Sequence, residues 1–444
     1  MSASAPRRMP GAAEAYLASL ERFGMRPGLE RIRRLLAACG EPQRSFQCIH
    51  VAGTNGKGSV CAMTESALRA AGLRTGLYTS PHLFSFRERI WRLGEPIGGE
   101  EADALAEELI PAAERIAAGP AGPPTWFEFM TAMAFLGFSR AKVDYAVVET
   151  GLGGRLDATR PIEAPVSAIV SVGLEHTEIL GGTVAAIAAE KAEIIAEGAS
   201  VVCGEMGDEA FDPIRRRAAE RGAALLRVGD EVRVSVLREG PEGSVVEVRG
   251  PWGRYGPLAL PLAGRHQAAN CAVAVALVEA VRRRGAAVAP ETVARGIGAT
   301  RWPGRLEIVR RLPLTVVDCA HNPDGARAAA AALRRLFPGL RWALVLGLLR
   351  DKDAGGVCDA LAPLSTELFT TAVPSARTAD AAALAALCRA RTGRRAAAAA
   401  GPAEALRRAE RAVSSGAADG VLVAGSIYLA AEAMKLTKGV RGET

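Results

Sequence analysis

Residues 50–59 read His50-Val51-Ala52-Gly53-Thr54-Asn55-Gly56-Lys57-Gly58-Ser59, between an apolar run (Phe46 to Ala52) and a helical pattern (Val60 to Ala71). Three glycines within six residues let the backbone fold tightly, so several N–H groups point into one concavity. The helix that follows adds the positive end of its dipole. Lys57 supplies a full charge for the outer phosphates, and Ser59 a hydroxyl for Mg²⁺. Gly53, Thr54, Asn55, Gly56, Lys57, Gly58 and Ser59 therefore read as a cradle for the phosphates of ATP. One departure marks it: Gly58 separates the lysine from the hydroxyl residue.

Outward from this loop, helix, strand and turn alternate to about Gly198. Val143 to Glu149 and Val166 to Val172 are short, continuously apolar runs, as expected of buried parallel strands. Residues 12–40 read as two amphipathic helices split near Gly24 to Gly28. From Ala223 to Leu262, alternation such as Val232-Arg233-Val234-Ser235-Val236 predicts antiparallel hairpins, and a helix is expected over Gln267 to Arg284. Gly296 to Arg305 reads as a linker, with Gly304 as its hinge. Beyond it, Leu314 to Asp318, Ala343 to Leu346, Glu367 to Ala372 and Gly420 to Ala424 alternate with alanine-rich helices, and Ala396 to Ala400 reads as a helix end. The predicted fold is α/β. An amino-terminal P-loop ATPase domain (1–298) has a mainly parallel sheet and a small antiparallel β region. A smaller Rossmann-like α/β domain (299–444) follows.

Composition narrows the function classes. The chain has 444 residues, 49% of them hydrophobic, ample for more than one core. A mean hydropathy of +0.12 comes from diffuse alanine and valine, with no spanning segment, so no membrane partner is expected. Met1 to Gly11 has no apolar core behind Arg7 and Arg8 and is not read as a secretory signal. The net charge of +7 is spread among acidic residues, and Arg215 to Arg217 and Arg282 to Arg284 look like helix faces; nucleic acid is not an expected partner, whereas an anionic small substrate fits. Eight cysteines without a C-x-x-C pair suggest reduced thiols and a cytoplasmic protein. Basic residues are nearly all arginine; the lysines are Lys57, Lys142, Lys191, Lys352, Lys435 and Lys438. Lysine is kept at Lys57 and Lys191 inside motifs, where arginine cannot replace a compact charge or a nucleophilic amine.

Further motifs sit where an ATP site would need them. Glu149 ends a buried strand before Thr150-Gly151-Leu152-Gly153-Gly154-Arg155-Leu156-Asp157, placed to hold Mg²⁺ or else to cap the turn. His176, in Glu175-His176-Thr177, can ligate a metal as a neutral imidazole. Lys191 follows Glu190 on a helix: either a surface ion pair, or a neutral amine that adds CO₂ to become a carbamate ligand for a second Mg²⁺. Asn270 can read adenine through its amide, or serve as a cap. Arg305 lies in the linker within reach of phosphate or base, and Asp318-Cys319-Ala320-His321-Asn322-Pro323 ends a strand at a ligand-binding edge. Arg350-Asp351-Lys352-Asp353 ends another, and Gly425-Ser426 the last.

These motifs, together with Ser80-Pro81-His82-Leu83, Thr125-Trp126-Phe127-Glu128, Gly264 to Asn270 and Trp302 to Glu307, resemble the folylpolyglutamate synthase/dihydrofolate synthase family, the folate branch of the Mur ligases, from Tyr16 to about Met434. The resemblance implies an ATP-dependent ligase that joins L-glutamate to dihydropteroate or a reduced folate through an acyl phosphate, acting as a monomer. It implies metal ligands at Ser80, Glu149, His176 and a carbamylated Lys191, and ATP contacts at residues 53–59, Asn270, Arg305 and Asp318. It implies substrate contacts at Thr125, Trp126, Phe127, Glu128, Leu156, Asp157, Ala158 and Ser426, with Arg26 to Gly28 beside them. Lys57, Glu149, His176, Lys191 and His321 would be its catalytic groups, His321 near the incoming glutamate. Arg160 stands where a small polar residue is usual, Glu175 where aspartate is commoner, and Glu193 and Cys319 where glycine is typical. A peptidoglycan Mur ligase would need a whole domain ahead of the phosphate loop, more than the roughly fifty residues present. A transport or switch ATPase would need neither Lys191 nor the Asp318/His321 pair.

Overall fold

The computed structural model describes residues 11–438; the stretch before Gly11, read above for a signal peptide, lies outside them. An eight-stranded sheet runs through β1 (Gln47–Ala52), β2 (Thr75–Tyr78), β3 (Ile90–Arg92), β4 (Glu95–Pro96), β5 (Tyr145–Glu149), β6 (Val166–Ile169), β7 (Ser200–Cys203) and β8 (Ala224–Arg227). Its order is β4-β3-β2-β5-β1-β6-β7-β8, parallel from β2 to β8 with β3 and β4 antiparallel at one edge. β1 is central and its last five residues are buried, so the phosphate loop leaves the middle of the sheet at the carboxyl ends of the strands. Ligands bind at that edge in open α/β sheets.

A three-stranded antiparallel sheet, β9 (Arg233–Gly240), β10 (Gly243–Gly250) and β11 (Gly253–Leu260), covers part of one face. The helix Arg265–Arg283 is buried between it and the large sheet, which explains why alanine, valine and leucine occupy all its sides. On the opposite face, the helices Gly99–Ala117 and Trp126–Arg140 and the amino-terminal helices Ala12–Leu20 and Glu30–Ala38 share a second core around Phe129, Phe135 and Phe138.

The carboxy-terminal part holds a six-stranded sheet of β12 (Glu307–Arg311), β13 (Leu314–Val317), β14 (Trp342–Leu346), β15 (Ser365–Thr370), β16 (Ala396–Ala398) and β17 (Gly420–Ala424), in the order β12-β13-β17-β14-β15-β16. Only β12 runs antiparallel.

Four sequence expectations need correction. Ala224–Arg227 is the parallel edge strand β8 of the large sheet rather than part of a hairpin; its backbone pairs with Ser200 to Cys203 of β7. Gly296 to Gly298 is the end of the helix Pro290–Gly298, not linker: Gly296 lets that helix lie against Ser66 and Ala67, and Ser66 Oγ donates to its carbonyl at 2.7 Å. Ala396 to Ala398 is an edge strand, pairing with Leu368 to Thr370, instead of a helix end. Cys358 and Cys388 form a disulfide between the helices Ala354–Leu361 and Ala381–Thr392, while six other cysteines are free thiols.

Candidate active site

Every residue singled out above as catalytic, ATP-binding, substrate-binding or metal-ligating lines one cleft of about 1440 Å³ between the large sheet and the carboxy-terminal part. Its floor is the phosphate loop. Gly56, at φ 85°, turns the chain into the helix Lys57–Ala70, whose amino terminus faces the cleft. The extra Gly58 has a packing reason: a Cβ there would come within 2.6 Å of the Trp302 indole, so the linker seats on the helix start. Lys57 Nζ donates to the carbonyls of Gly53 and Thr54 at 2.9 and 3.2 Å and lies 3.9 Å from Glu149 Oε1. Glu149 Oε2 accepts from the Ser80 backbone N–H at 3.0 Å. Burial raises the Glu149 carboxyl above its ordinary value, against the pull of Lys57. A low-dielectric carboxylate beside a serine is a hard-oxygen site suited to Mg²⁺.

Lys191 is not half of a surface ion pair. Glu190 instead accepts from Arg155 Nε at 2.8 Å, while Lys191 is only 4% exposed. Burial, reinforced by the charge of Lys57, lowers its ammonium to about 7. Among the described residues no carboxylate forms an ion pair with it. Burial and Lys57 favour the neutral amine, and the charges of Glu175 and Asp157 only partly oppose them.

The two parts meet at Glu175. Its carboxylate accepts from Lys352 Nζ at 2.8 Å and sits 3.2 Å from His321 Nε2. Burial would raise this carboxyl, but the His321 hydrogen bond and the Lys352 charge outweigh it and hold it well below the usual carboxylate range. Burial and Lys352 also lower the His176 imidazolium, 4.0 Å from the same carboxylate, which favours the neutral ring. Asn55 and Asn322 exchange amide hydrogen bonds of 3.2 and 3.0 Å across the same seam. Gly304, at φ 75°, has Cys319 Sγ 2.7 Å from where a Cβ would stand, so Cys319 packs directly against the linker.

Several expected substrate and ATP contacts also carry structural duties. Glu128 closes a capping box with Thr125 and takes Arg31 Nε at 3.0 and 3.1 Å, so its charge is already paired. Asp157 accepts the Leu152 N–H at 2.7 Å, and Asp318 accepts those of Leu306 and Ala320 at 2.9 and 2.8 Å. Asn270 donates to Gln267 at 3.0 Å and packs against Gly56 beneath the loop. Ser426 is buried and its Oγ accepts from Tyr428 N–H at 3.2 Å.

Lys352 and Arg89 line the same cleft without a sequence-based role of their own. Lys352 could have been found by the scarcity of lysine that singled out Lys57 and Lys191. Arg89 left no such signal among so many arginines. Its Nε donates to His82 Nδ1 at 2.9 Å and its guanidinium lies 4.4 Å from the centre of the Trp126 ring. Among the described residues no carboxylate forms an ion pair with Arg89, and it opens on the cleft.

Residues 120–278 match the Mur ligase middle domain and residues 304–427 the Mur ligase, glutamate ligase domain. The dihydrofolate synthase/folylpolyglutamate synthase of Bacillus subtilis is 37% identical over 342 residues, 77% of this chain and 80% of the relative. The structure of Mycobacterium tuberculosis folylpolyglutamate synthase complexed with ADP superposes with a TM-score of 0.89 at 37% identity, covering 96% of this chain and 99% of that one. Escherichia coli FolC in complex with DHPP and ADP does so at 0.83 and 30% identity, covering 97% and 99%.

Proposed function

Because the chain belongs to the dihydrofolate synthase/folylpolyglutamate synthase family of Mur ligases, we propose that it joins L-glutamate to the carboxylate of dihydropteroate or a reduced folate at the expense of ATP. The observation that carries this reading is the single cleft in which the phosphate loop, Glu149, Lys191 and, from the other part, His321 face one another. Residues 1–298 are the ATP-binding part and 299–444 the glutamate-ligase part; the boundary falls after the helix Pro290–Gly298 and before β12 opens the second sheet. All the groups the reaction calls on come from one chain, which supports a monomer. Among the described residues no helix is long and apolar enough to cross a membrane, and the cytoplasm, where ATP is abundant, is the proposed site of action.

The chemistry follows from charge. A carboxylate is a poor acyl donor. Its attack on the γ-phosphorus of ATP makes an acyl phosphate and releases ADP. The glutamate amine then adds to the acyl carbon, and phosphate leaves with the carboxylate's former oxygen. The loop N–H groups and Lys57 hold the transferring phosphoryl group and offset its charge. Ser80, Glu149, His176 and a carbamylated Lys191 suit Mg²⁺, which supplies further charge neutralisation when bound. Glu175, with Lys352 and His321, closes the two parts on each other and keeps water from the acyl phosphate.

Arg89 supports a further part of the reading, since a cation without a carboxylate partner in a substrate cleft suits a substrate carboxylate. Arg89→Met is expected to raise KM for the folate acceptor or for glutamate by about tenfold or more, with KM for ATP within about twofold. Steady-state kinetics with each substrate varied would show it, and three unchanged KM values would remove Arg89 from the site.

The overall reading is tested by incubating the protein with ATP, Mg²⁺ and L-glutamate plus either dihydropteroate or tetrahydrofolate, and weighing the products. Products heavier by one or more glutamyl residues are expected. Phosphate release without an acceptor-dependent product would point to an ATPase instead.

A further inference from the structure

His50 precedes the phosphate loop yet has no part in the chemistry above. It lies on central strand β1, opposite Val148 of β5 and Ser167 of β6, and is fully buried. A buried imidazole is costly unless its nitrogens are engaged. Nε2 lies 2.7 Å from Thr159 Oγ1, while Nδ1 has no hydrogen-bond partner. Thr159, also fully buried, donates its hydroxyl to Asp157 Oδ1 at 2.5 Å and its backbone N–H to the same oxygen at 3.0 Å. Asp157 Oδ2 in turn accepts the Leu152 N–H at 2.7 Å.

Proton accounting fixes the direction of this chain. Thr159 has one hydroxyl proton, and the contact to a carboxylate that accepts two backbone N–H groups requires it there. His50 must then carry its proton on Nε2 and donate to Thr159, which leaves Nδ1 as the bare lone pair. Burial, with the charge of Arg160, lowers the imidazolium to about 3, so the ring stays neutral. The result is a directed chain in which His50 donates to Thr159 and Thr159 to Asp157, where the Leu152 N–H also donates, linking the strand that feeds the phosphate loop to the loop 151–158 on the acceptor side of the cleft.

We propose that His50 and Thr159 are positioning residues for the acceptor substrate, holding the loop 151–158 in shape through Asp157 without touching the reacting atoms. This rests on the reading of that loop as the pteroate-contacting segment. Its consequence is a split in the kinetics: the acceptor site loosens while the ATP site, built on the loop N–H groups and Lys57, does not.

Thr159→Val is nearly isosteric and removes only the hydroxyl. It is expected to raise KM for dihydropteroate or tetrahydrofolate by about tenfold or more, with KM for ATP within about twofold, and Thr159→Ser to restore the wild-type values. His50→Leu should behave as Thr159→Val does, and His50→Gln, which keeps an N–H near the position of Nε2, should recover much of the loss. Should His50→Leu fail to fold, the valine and serine variants decide alone. Hydrogen exchange at the Leu152 and Thr159 amides reads the hydrogen-bond chain without reference to turnover, and faster exchange there in Thr159→Val is expected. Equal changes in the two KM values, or unaltered exchange at both amides, would overturn the positioning role. Failure of the wild-type protein to glutamylate either acceptor, with exchange altered as expected, would instead overturn the substrate assignment.

Discussion

Lys191→Arg is expected to lower glutamyl transfer by about 10²–10³-fold or more in a chain that still folds, at some cost in thermal stability because a permanent cation is buried near Lys57. The side chain is buried near the end of the helix Val184–Ala192 and its amine sits near the charge of Lys57. Carbamylation consumes a neutral amine and CO₂ and releases a proton, giving an anion where a cation is disfavoured. Since burial lowers this amine to about 7, the reactive neutral form is the minority below that pH and dominates above it. Arginine stays protonated and cannot form the carbamate. Two readouts separate this from a steric effect. Wild-type activity should fall in CO₂-depleted buffer, more steeply below pH 7 than above it, and return on adding bicarbonate. The arginine variant should show no CO₂ response. Full activity in Lys191→Arg, or a wild-type enzyme indifferent to CO₂, would remove the carbamate from the account.

Lys57→Ala should cost a comparable or larger factor, about 10³-fold in ATP turnover, because it removes the one mobile cation of the phosphate loop. The ammonium bridges two carbonyls of its own loop and reaches toward Glu149, so it is already aimed where the outer phosphates would lie. A second effect follows from the same geometry. Lys57 is the second cause, after burial, that lowers the Lys191 amine, so its loss should raise that amine and weaken the CO₂ response. Nucleotide binding by titration calorimetry should drop along with turnover. Unchanged ATP turnover would refute the assignment of residues 53–59.

Much of this site was legible in the sequence, for a physical reason. A loop whose backbone must fold into a concavity has to spell its glycines and its lysine within a few residues, and buried parallel strands have to be apolar runs. Those local constraints located residues 53–59, Glu149 and the Asp318 to Pro323 strand end. Local signals failed where the cause is tertiary. Gly58 makes sense only beside Trp302, and Gly296 only against Ala67; as local punctuation, Gly296 suggests a linker. The alanines of β16 carry no strand propensity, and an edge position in a parallel sheet overrides what they favour alone. The pairing of Cys358 with Cys388, 30 residues apart, leaves no trace in spacing. The commitments of Glu128 to Arg31 and of Asp157 to Thr159 show a further limit: residue type and motif find a polar group in a cleft, but not whether its charge is already used.

The most direct test of the acyl phosphate follows one oxygen. The acceptor, dihydropteroate or tetrahydrofolate, is prepared with ¹⁸O in the carboxylate that receives glutamate, and the phosphate released during ligation is analysed by mass. Attack of that carboxylate on ATP, followed by its displacement by the glutamate amine, places one ¹⁸O in each phosphate released. Glutamylated product accompanied by unlabelled phosphate would contradict the mechanism, because the acceptor oxygen would never have been bonded to phosphorus.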